Sequence, residues 1–267
     1  MTAAGGSADG PGAPPRASRR RAVVIGALVL AVALVGGGVA LAMAAGSDDG
    51  DGDAGDADAA PLDIAVVGDS LIEQSRDQVQ VHADAQGLTV ESVAFGGSAP
   101  CDWMDAFERF ATARPRHLII SFAGNDSTPC INPGGGPPRD PQTIADAYAE
   151  MMPGILDLFA GTGTEVYLVL PPPVGPPASE PAAAAIRATY RELASDRPEI
   201  TIVDPAPLLG PDGAFHLTLP CEAWEADVCG PDGTVTVRNA DGIHLAPAGG
   251  ERYARILLEA IGRPVDG

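Results

Sequence analysis

Five short apolar runs rich in β-branched residues, "LDIAVV" (62–67), "LTVESVAF" (88–95), "HLIISFA" (117–123), "EVYLVL" (165–170) and "ITIVD" (200–204), are spaced along the chain with helical stretches between them. Helices are expected over 72–86, 102–112, 141–160 and 180–195, and a last one starts near Pro247 with Tyr253, Ile256, Leu257 and Ile261 at helical spacing. Strands that alternate with helices argue for a parallel sheet, and near-continuous apolar strands are those buried on both faces. The expected fold is therefore α/β, a three-layer α/β/α sandwich around a central parallel sheet of about five strands. The folded part, about 205 residues, is enough for one domain with a sizeable core. Proline clusters at 171–177 and Gly-Pro at 133–138 mark stiff loops. Pro205 to Asn239 is the least regular segment, with turn signals at "PDGAF" and "PDGTV", and reads as an insertion with a hairpin at "TVTVR".

Ahead of this domain, residues 22–45, "AVVIGALVLAVALVGGGVALAMAA", hold 24 positions without a charge. That length spans a bilayer core of about 30 Å. Arg16, Arg19, Arg20 and Arg21 precede it, so the positive-inside rule leaves a basic tail (1–21) in the cytoplasm and the rest of the chain outside. A cleaved signal peptide is the competing reading, since Ala40-Leu41-Ala42 and Ala42-Met43-Ala44 resemble cleavage sites. The stretch exceeds the usual apolar region of a signal peptide, about 7–15 residues, which favours a transmembrane signal-anchor. Both readings export the domain. Residues 46–60 are rich in Gly, Ala and Asp with almost nothing to bury, an acidic flexible linker leading to a domain over 61–267.

The chain's net charge is −20, its sixteen cationic residues are all arginine, and only −3 falls within residues 1–60. An exported domain of about −17 repels phosphate backbones and anionic headgroups, so nucleic acid is excluded as a partner and the membrane is met through the N-terminal helix alone. All four cysteines, Cys101, Cys130, Cys221 and Cys229, lie in the exported part, where an even count argues for two disulfides. Of the three possible pairings, Cys221 with Cys229 is favoured by closeness in sequence, which leaves Cys101 with Cys130. No Cys-x-x-Cys and no histidine at ligand spacing accompany them, which speaks against zinc.

In open parallel sheets ligands bind at the carboxyl ends of the strands, so the informative loops are those after residues 67, 95, 123, 170 and 204. The first is Gly68-Asp69-Ser70-Leu71, a strand-to-helix turn that places a hydroxyl at the sheet edge near the positive end of a helix. After the second strand, "FGGSAPCD" carries paired glycines that let a backbone N–H approach a ligand. After the third, "SFAGNDS" places the Asn125 amide toward the same space. Further on, "RNADGIHLAPAGGERYA" sets Asp241 and His244 three residues apart. A serine requires a base to take its proton, and that base requires a carboxylate to fix its tautomer. Taken singly, each block is ordinary turn or capping chemistry. Their coincidence at the expected end of one sheet is what carries the reading.

At these residues the chain resembles the SGNH hydrolases, also called the GDSL esterase/lipase family, over essentially all of 61–262. The resemblance implies a flavodoxin-like fold with Ser70 of "GDSL" as nucleophile and Asp241 and His244 of "DGIH" as the acid and base of a triad. It implies an oxyanion hole built from the Ser70 N–H, the N–H of Gly97 (with Gly96 as reserve) and the Asn125 amide. No metal or cofactor is required. One departure is Ala123, which stands where the family's third block usually has glycine.

The function so implied is an exported serine esterase acting on a small-molecule or glycan ester, with Asn125→Ala expected to cost about 2.7 to 4 kcal/mol of barrier. O-acyl transfer to a cell-envelope polysaccharide is the alternative within the same chemistry, since the region also resembles SGNH domains fused to membrane acyltransferases. A non-catalytic glycan-binding module is the alternative from another class, and the intact trio Ser70, Asp241 and His244 argues against it. A Cys101–Cys130 bridge is expected to tie two oxyanion loops together. Trp103 and Trp224 are expected to pack on disulfides rather than line a sugar or acyl pocket, Arg238 to be a solvated hairpin arginine rather than a contact for an anionic substrate group, and His82, His117 and His216, which have no partners at useful spacing, to be surface or core histidines.

Overall fold

The computed structural model describes residues 61–136, 139–175 and 180–265. The expected basic tail, membrane segment and acidic linker lie outside the described residues. Among those described, no helix is long and apolar enough to cross a membrane.

The five apolar runs form β1 (Ile64–Gly68), β2 (Val90–Ala94), β3 (His117–Ser121), β4 (Glu165–Val169) and β5 (Ile200–Val203). They pair in parallel in the order β2-β1-β3-β4-β5, the flavodoxin-like arrangement. Gly68 at the end of β1 is level with Ala94 of β2 and Ser121 of β3, so three strands terminate on one line. The chain reverses its winding between β1 and β3, and the crevice at such a switch point is where this architecture holds ligands.

Side-chain alternation divides the core into two layers. Ala65, Val67, Leu118 and Ile120 face Phe107, Phe110, Tyr148, Met152, Ile186 and Tyr190. Those partners belong to α2 (Met104–Ala113), α3 (Pro141–Asp157) and α4 (Glu180–Asp196). Ile64, Val66 and Ile119 face the other way, toward Leu71, Ile72, Tyr253 and Leu257 of α1 (Ser70–Ala85) and α6 (Pro247–Ala260). Every residue of β1 is buried, as expected for a strand covered on both faces.

Helix ends follow local chemistry. Asp69 caps α1 through Leu71 N–H, and Asp140 caps α3 through Thr143 N–H with Pro141 in the first turn. Helix α2 stops where Arg114 enters the left-handed region at φ 52°. The fourth predicted helix, 180–195, matches α4, whereas 141–160 ends earlier, at Asp157. The segment between β5 and α6 starts with a one-turn helix, α5 (Ala206–Leu209), and then forms an antiparallel pair, β6 (Thr218–Pro220) with β7 (Thr234–Thr236). It is fixed to α6 by a bidentate ion pair, Arg252 to Glu225, in which both side chains are 2 % exposed. Arg252 also donates to the carbonyls of Leu208 and Pro220, so this buried charge has its hydrogen bonds met.

Candidate active site

Ser70 is the first residue of α1, directly behind the β1 end, and it is nearly buried. Its neighbour Asp69 has no exposed surface, yet it carries a carboxylate. One oxygen accepts from Leu71 N–H (3.1 Å), and the other accepts from Ala123 N–H (2.7 Å) and Asn125 Nδ2 (3.0 Å). Burial pushes this carboxyl up to about 6, against the opposing pull of the Ala123 and Leu71 N–H groups and of His244. Asp69 thus ties the turn that carries Ser70 to the loop that follows β3. The contact to Ala123 is made through its backbone, so alanine at this position keeps the link.

After β2, Phe95 to Ser98 form a tight turn closed by Ser98 N–H to Phe95 O (3.2 Å). Gly97 sits at φ 82°, the third-position conformation of a type II turn. Gly96 is the closer of the pair to Ser70: a Cβ there would lie 3.7 Å from Ser70 Cβ. The Asn125 amide nitrogen donates to Asp69 Oδ2 and to Ser98 O (3.1 Å), so both its protons are committed. Any further acceptor has to draw one of them away from Asp69 or the Ser98 carbonyl.

Asp241 and His244 meet within four residues. Asp241 Oδ1 accepts from the N–H groups of Ile243 (2.8 Å) and His244 (2.9 Å), and Oδ2 faces His244 Nδ1 at 2.8 Å. The His244 N–H, followed by its ring and the Ile243 N–H, holds the Asp241 carboxyl down at about 2. An ionised Asp241 therefore accepts from Nδ1–H and leaves Nε2 unprotonated in the neutral ring. Ser70, Gly96, Gly97, Asn125 and His244 all line one cavity of about 680 Å³.

Arg238, expected as a solvated hairpin residue, is instead fully buried. An isolated antiparallel bridge between Arg238 and Leu245 folds the chain back and turns the side chain under the Asp241–His244 turn. Its guanidinium donates to Ile243 O (2.5 Å) and Pro173 O (3.1 Å), and Nε has no partner among the described residues. Desolvation lowers it to about 10. A second tie runs from Gly175 N–H to Gly242 O (3.0 Å), and a Cβ on Gly242 would meet Gly175 O at 2.1 Å. The acid–base turn is thereby seated on the proline loop after β4.

Both disulfides are formed as Cys101–Cys130 and Cys221–Cys229. The first joins the segment after the glycine turn to the loop after Asn125. Trp103 Nε1–H donates to Ser98 Oγ (3.0 Å), and Trp103 borders a second cavity. Trp224 lies under the Arg255 guanidinium, 4.6 Å from the ring centre. The three remaining histidines do have partners: His82 faces Glu251, His117 Glu165 and His216 Asp212. The partners of His82 and His117 come from long-range packing, whereas Asp212 lies four residues before His216. Sequence reasoning treated Asp69 as turn chemistry only. The signal it offered was its place between the glycine and the serine of a strand-to-helix turn.

The model of the family DUF459, described as a protein of unknown function, matches residues 63–260. The chain belongs to this family. No protein of curated function matches the DUF459 chain in sequence. Its fold is shared with a GDSL-like lipase from Bacteroides thetaiotaomicron, at TM-score 0.53 and 13 % identity, covering 76 % of this chain and 88 % of that one. An acetyl-xylooligosaccharide esterase from Geobacillus is similar at TM-score 0.53 and 14 % identity, over 75 % of this chain and 94 % of the other. An alpha/beta hydrolase enzyme from the metagenome of Lake Arreo, Spain, reaches TM-score 0.52 at 16 % identity, over 78 % and 98 %. The DUF459 domain thus has the fold of the SGNH hydrolases.

Proposed function

We propose that this protein is an exported serine esterase, anchored by residues 22–45, with Ser70 as nucleophile and His244 and Asp241 as base and orienting acid. The observation that carries the reading is a single cavity walled by Ser70, the Gly96–Gly97 turn, Asn125 and His244, with His244 Nδ1 held by an ionised Asp241. Ser70 Oγ attacks the ester carbonyl as His244 Nε2 takes its proton. The carbonyl oxygen gains negative charge beside the N-terminus of α1, the N–H groups of Ser70 and Gly97, and the Asn125 amide. His244 then returns the proton to the departing alkoxide, and water, deprotonated by the same nitrogen, releases the acid from Ser70. Asp241 stays ionised throughout and stabilises the imidazolium.

The test is hydrolysis of p-nitrophenyl acetate, butyrate and octanoate by the full chain beside its Ser70→Ala variant. Turnover that disappears in the variant supports the assignment. Equal turnover in both proteins, or none in either, rejects it.

A further inference from the structure

A second cavity of about 480 Å³ adjoins the first and shares the Gly96–Gly97 turn with it. Its walls are Phe95, Trp103, Thr128 and Pro129, and neither Ser70 nor His244 reaches it. Phe95 is 65 % exposed, the most open large apolar side chain among the described residues. Several polar groups of this cavity are engaged with one another, while the exposed Asp102 carboxylate and Ser127 also line it. Trp103 Nε1–H donates to Ser98 Oγ, which donates to Phe95 O (2.7 Å). The Thr128 hydroxyl donates to Asp102 Oδ1 (2.6 Å), and Ala99 N–H donates to Asp102 Oδ2 (2.8 Å). The larger share of the surface left to a ligand is apolar, from Phe95, Trp103 and Pro129, with Asp102 and Ser127 at its rim. The Cys101–Cys130 bridge flanks the cavity on both sides, beside Asp102 and Trp103 at one end and Pro129 at the other, so its shape is set before anything binds.

On the esterase reading, the alcohol side of the substrate must sit beside His244, which protonates it. The group that stays on Ser70 points away from that histidine. We propose that the Phe95–Trp103 cavity is the acyl subsite and selects apolar acyl groups of about four to eight carbons, aromatic acids included, over acetyl. An acetyl group ends at the oxyanion turn and leaves the rings of Phe95 and Trp103 in water. A benzoyl or octanoyl group covers them, and that contact adds to kcat/KM for the longer ester alone.

The test measures kcat/KM of the full chain for p-nitrophenyl acetate, octanoate and benzoate, with Phe95→Ala and Ser127→Trp alongside. The first variant removes the exposed ring, and the second fills the cavity from its exposed rim. The parent is expected to favour octanoate and benzoate over acetate, and both variants to lower that ratio about tenfold. A parent that prefers acetate, or ratios unchanged in both variants, overturns the proposal. Binding is read separately by titrating octanoic acid against Trp103 fluorescence in a Trp224→Phe background. A saturable change that Phe95→Ala weakens supports the subsite even where no ester turns over, an outcome that rejects only the serine mechanism. Absence of a saturable change overturns the subsite whatever the kinetics show.

Discussion

The two halves of the candidate site are held by opposite means. On the Ser70 side, the turn after β1 and the loop after β3 converge on a buried anion, Asp69, whose acceptors are filled by N–H donors from the Ser70 helix and the loop after β3, and the turn after β2 joins them through Asn125 and the Ser98 carbonyl. On the acid–base side a local turn is supported from below by a buried cation, Arg238, whose donors are filled by carbonyls of Ile243 and Pro173. Among the described residues neither buried charge forms an ion pair, so backbone dipoles and the Asn125 amide carry the compensation. Asp241 and His244 are themselves partly open, with side-chain exposures of 47 % and 36 %. The site therefore leaves Asp241 and His244 near water and places Asp69 and Arg238 inside.

The largest expected effect tests whether the halves act as one unit. Ser70→Ala and His244→Ala are each expected to lower kcat by at least about 10⁴-fold, and the double variant to lose little more. Single losses that multiply in the double variant would show two independent contributions and separate the halves.

Next comes the buried anion. Asp69→Asn keeps the shape but turns an NH₂ toward donors, leaving the Ala123 N–H or the Asn125 amide unmet. We expect a fall in kcat of about 10²-fold, read with p-nitrophenyl esters, and a stability loss of about 1–3 kcal/mol near neutral pH. The pH dependence has a definite sign. The carboxyl is raised from 3.8 to about 6 in the fold, so the fold binds more protons than the unfolded chain between those values. Its contribution is fully present below about pH 4 and is lost as pH rises through about 6. Urea unfolding of parent and variant should therefore differ by about 2–3 kcal/mol more in the parent's favour at pH 4 than at pH 7. A difference independent of pH would place Asp69 at an ordinary pKa.

The buried cation follows. Arg238→Met should leave Ile243 O and Pro173 O without a donor and loosen the His244 ring, lowering kcat about tenfold with KM little changed. Arg238→Lys, which keeps a donor but not the fork, should recover part of it. The proton on His244 Nδ1, followed by NMR, should broaden in Arg238→Met if the turn has lost its support. A normal signal with low kcat would put the effect elsewhere.

The same contrast explains what could be read from the chain alone. Strand–helix alternation was visible because both faces of the sheet are apolar, and each of the five strands appears within two or three residues of its expected span. Asp241 and His244 were legible because the partners lie three residues apart, and their hydrogen bonds close within one turn. Arg238 was misjudged because its burial depends on a bridge to Leu245 and a carbonyl 65 residues away. The role of Asp69 depends in the same way on Ala123 and Asn125, which sequence separation hides. Trp103 stood close to the right place, but its cavity exists only where the loops after β2 and β3 meet.

The smallest expected effect concerns the Cys101–Cys130 bridge, which spans 29 residues and belongs to the oxyanion half alone. A crosslink of that length contributes about 3.6 kcal/mol through the unfolded chain. Its local effect is to hold the segment of Asp102 and Trp103 against Thr128 and Pro129. Replacing both cysteines by serine should lower kcat severalfold at temperatures where far-ultraviolet circular dichroism still reports a folded domain. The loss should be larger for octanoate than for acetate, because the bridge shapes the Phe95–Trp103 wall more directly than it shapes Ser70. Removing Cys221 and Cys229 should lower stability without changing the octanoate-to-acetate ratio, since that bridge closes the insertion that packs on α6. Activity lost only together with the fold would make the first bridge a plain staple, and the oxyanion half would then rest on Asp69 alone.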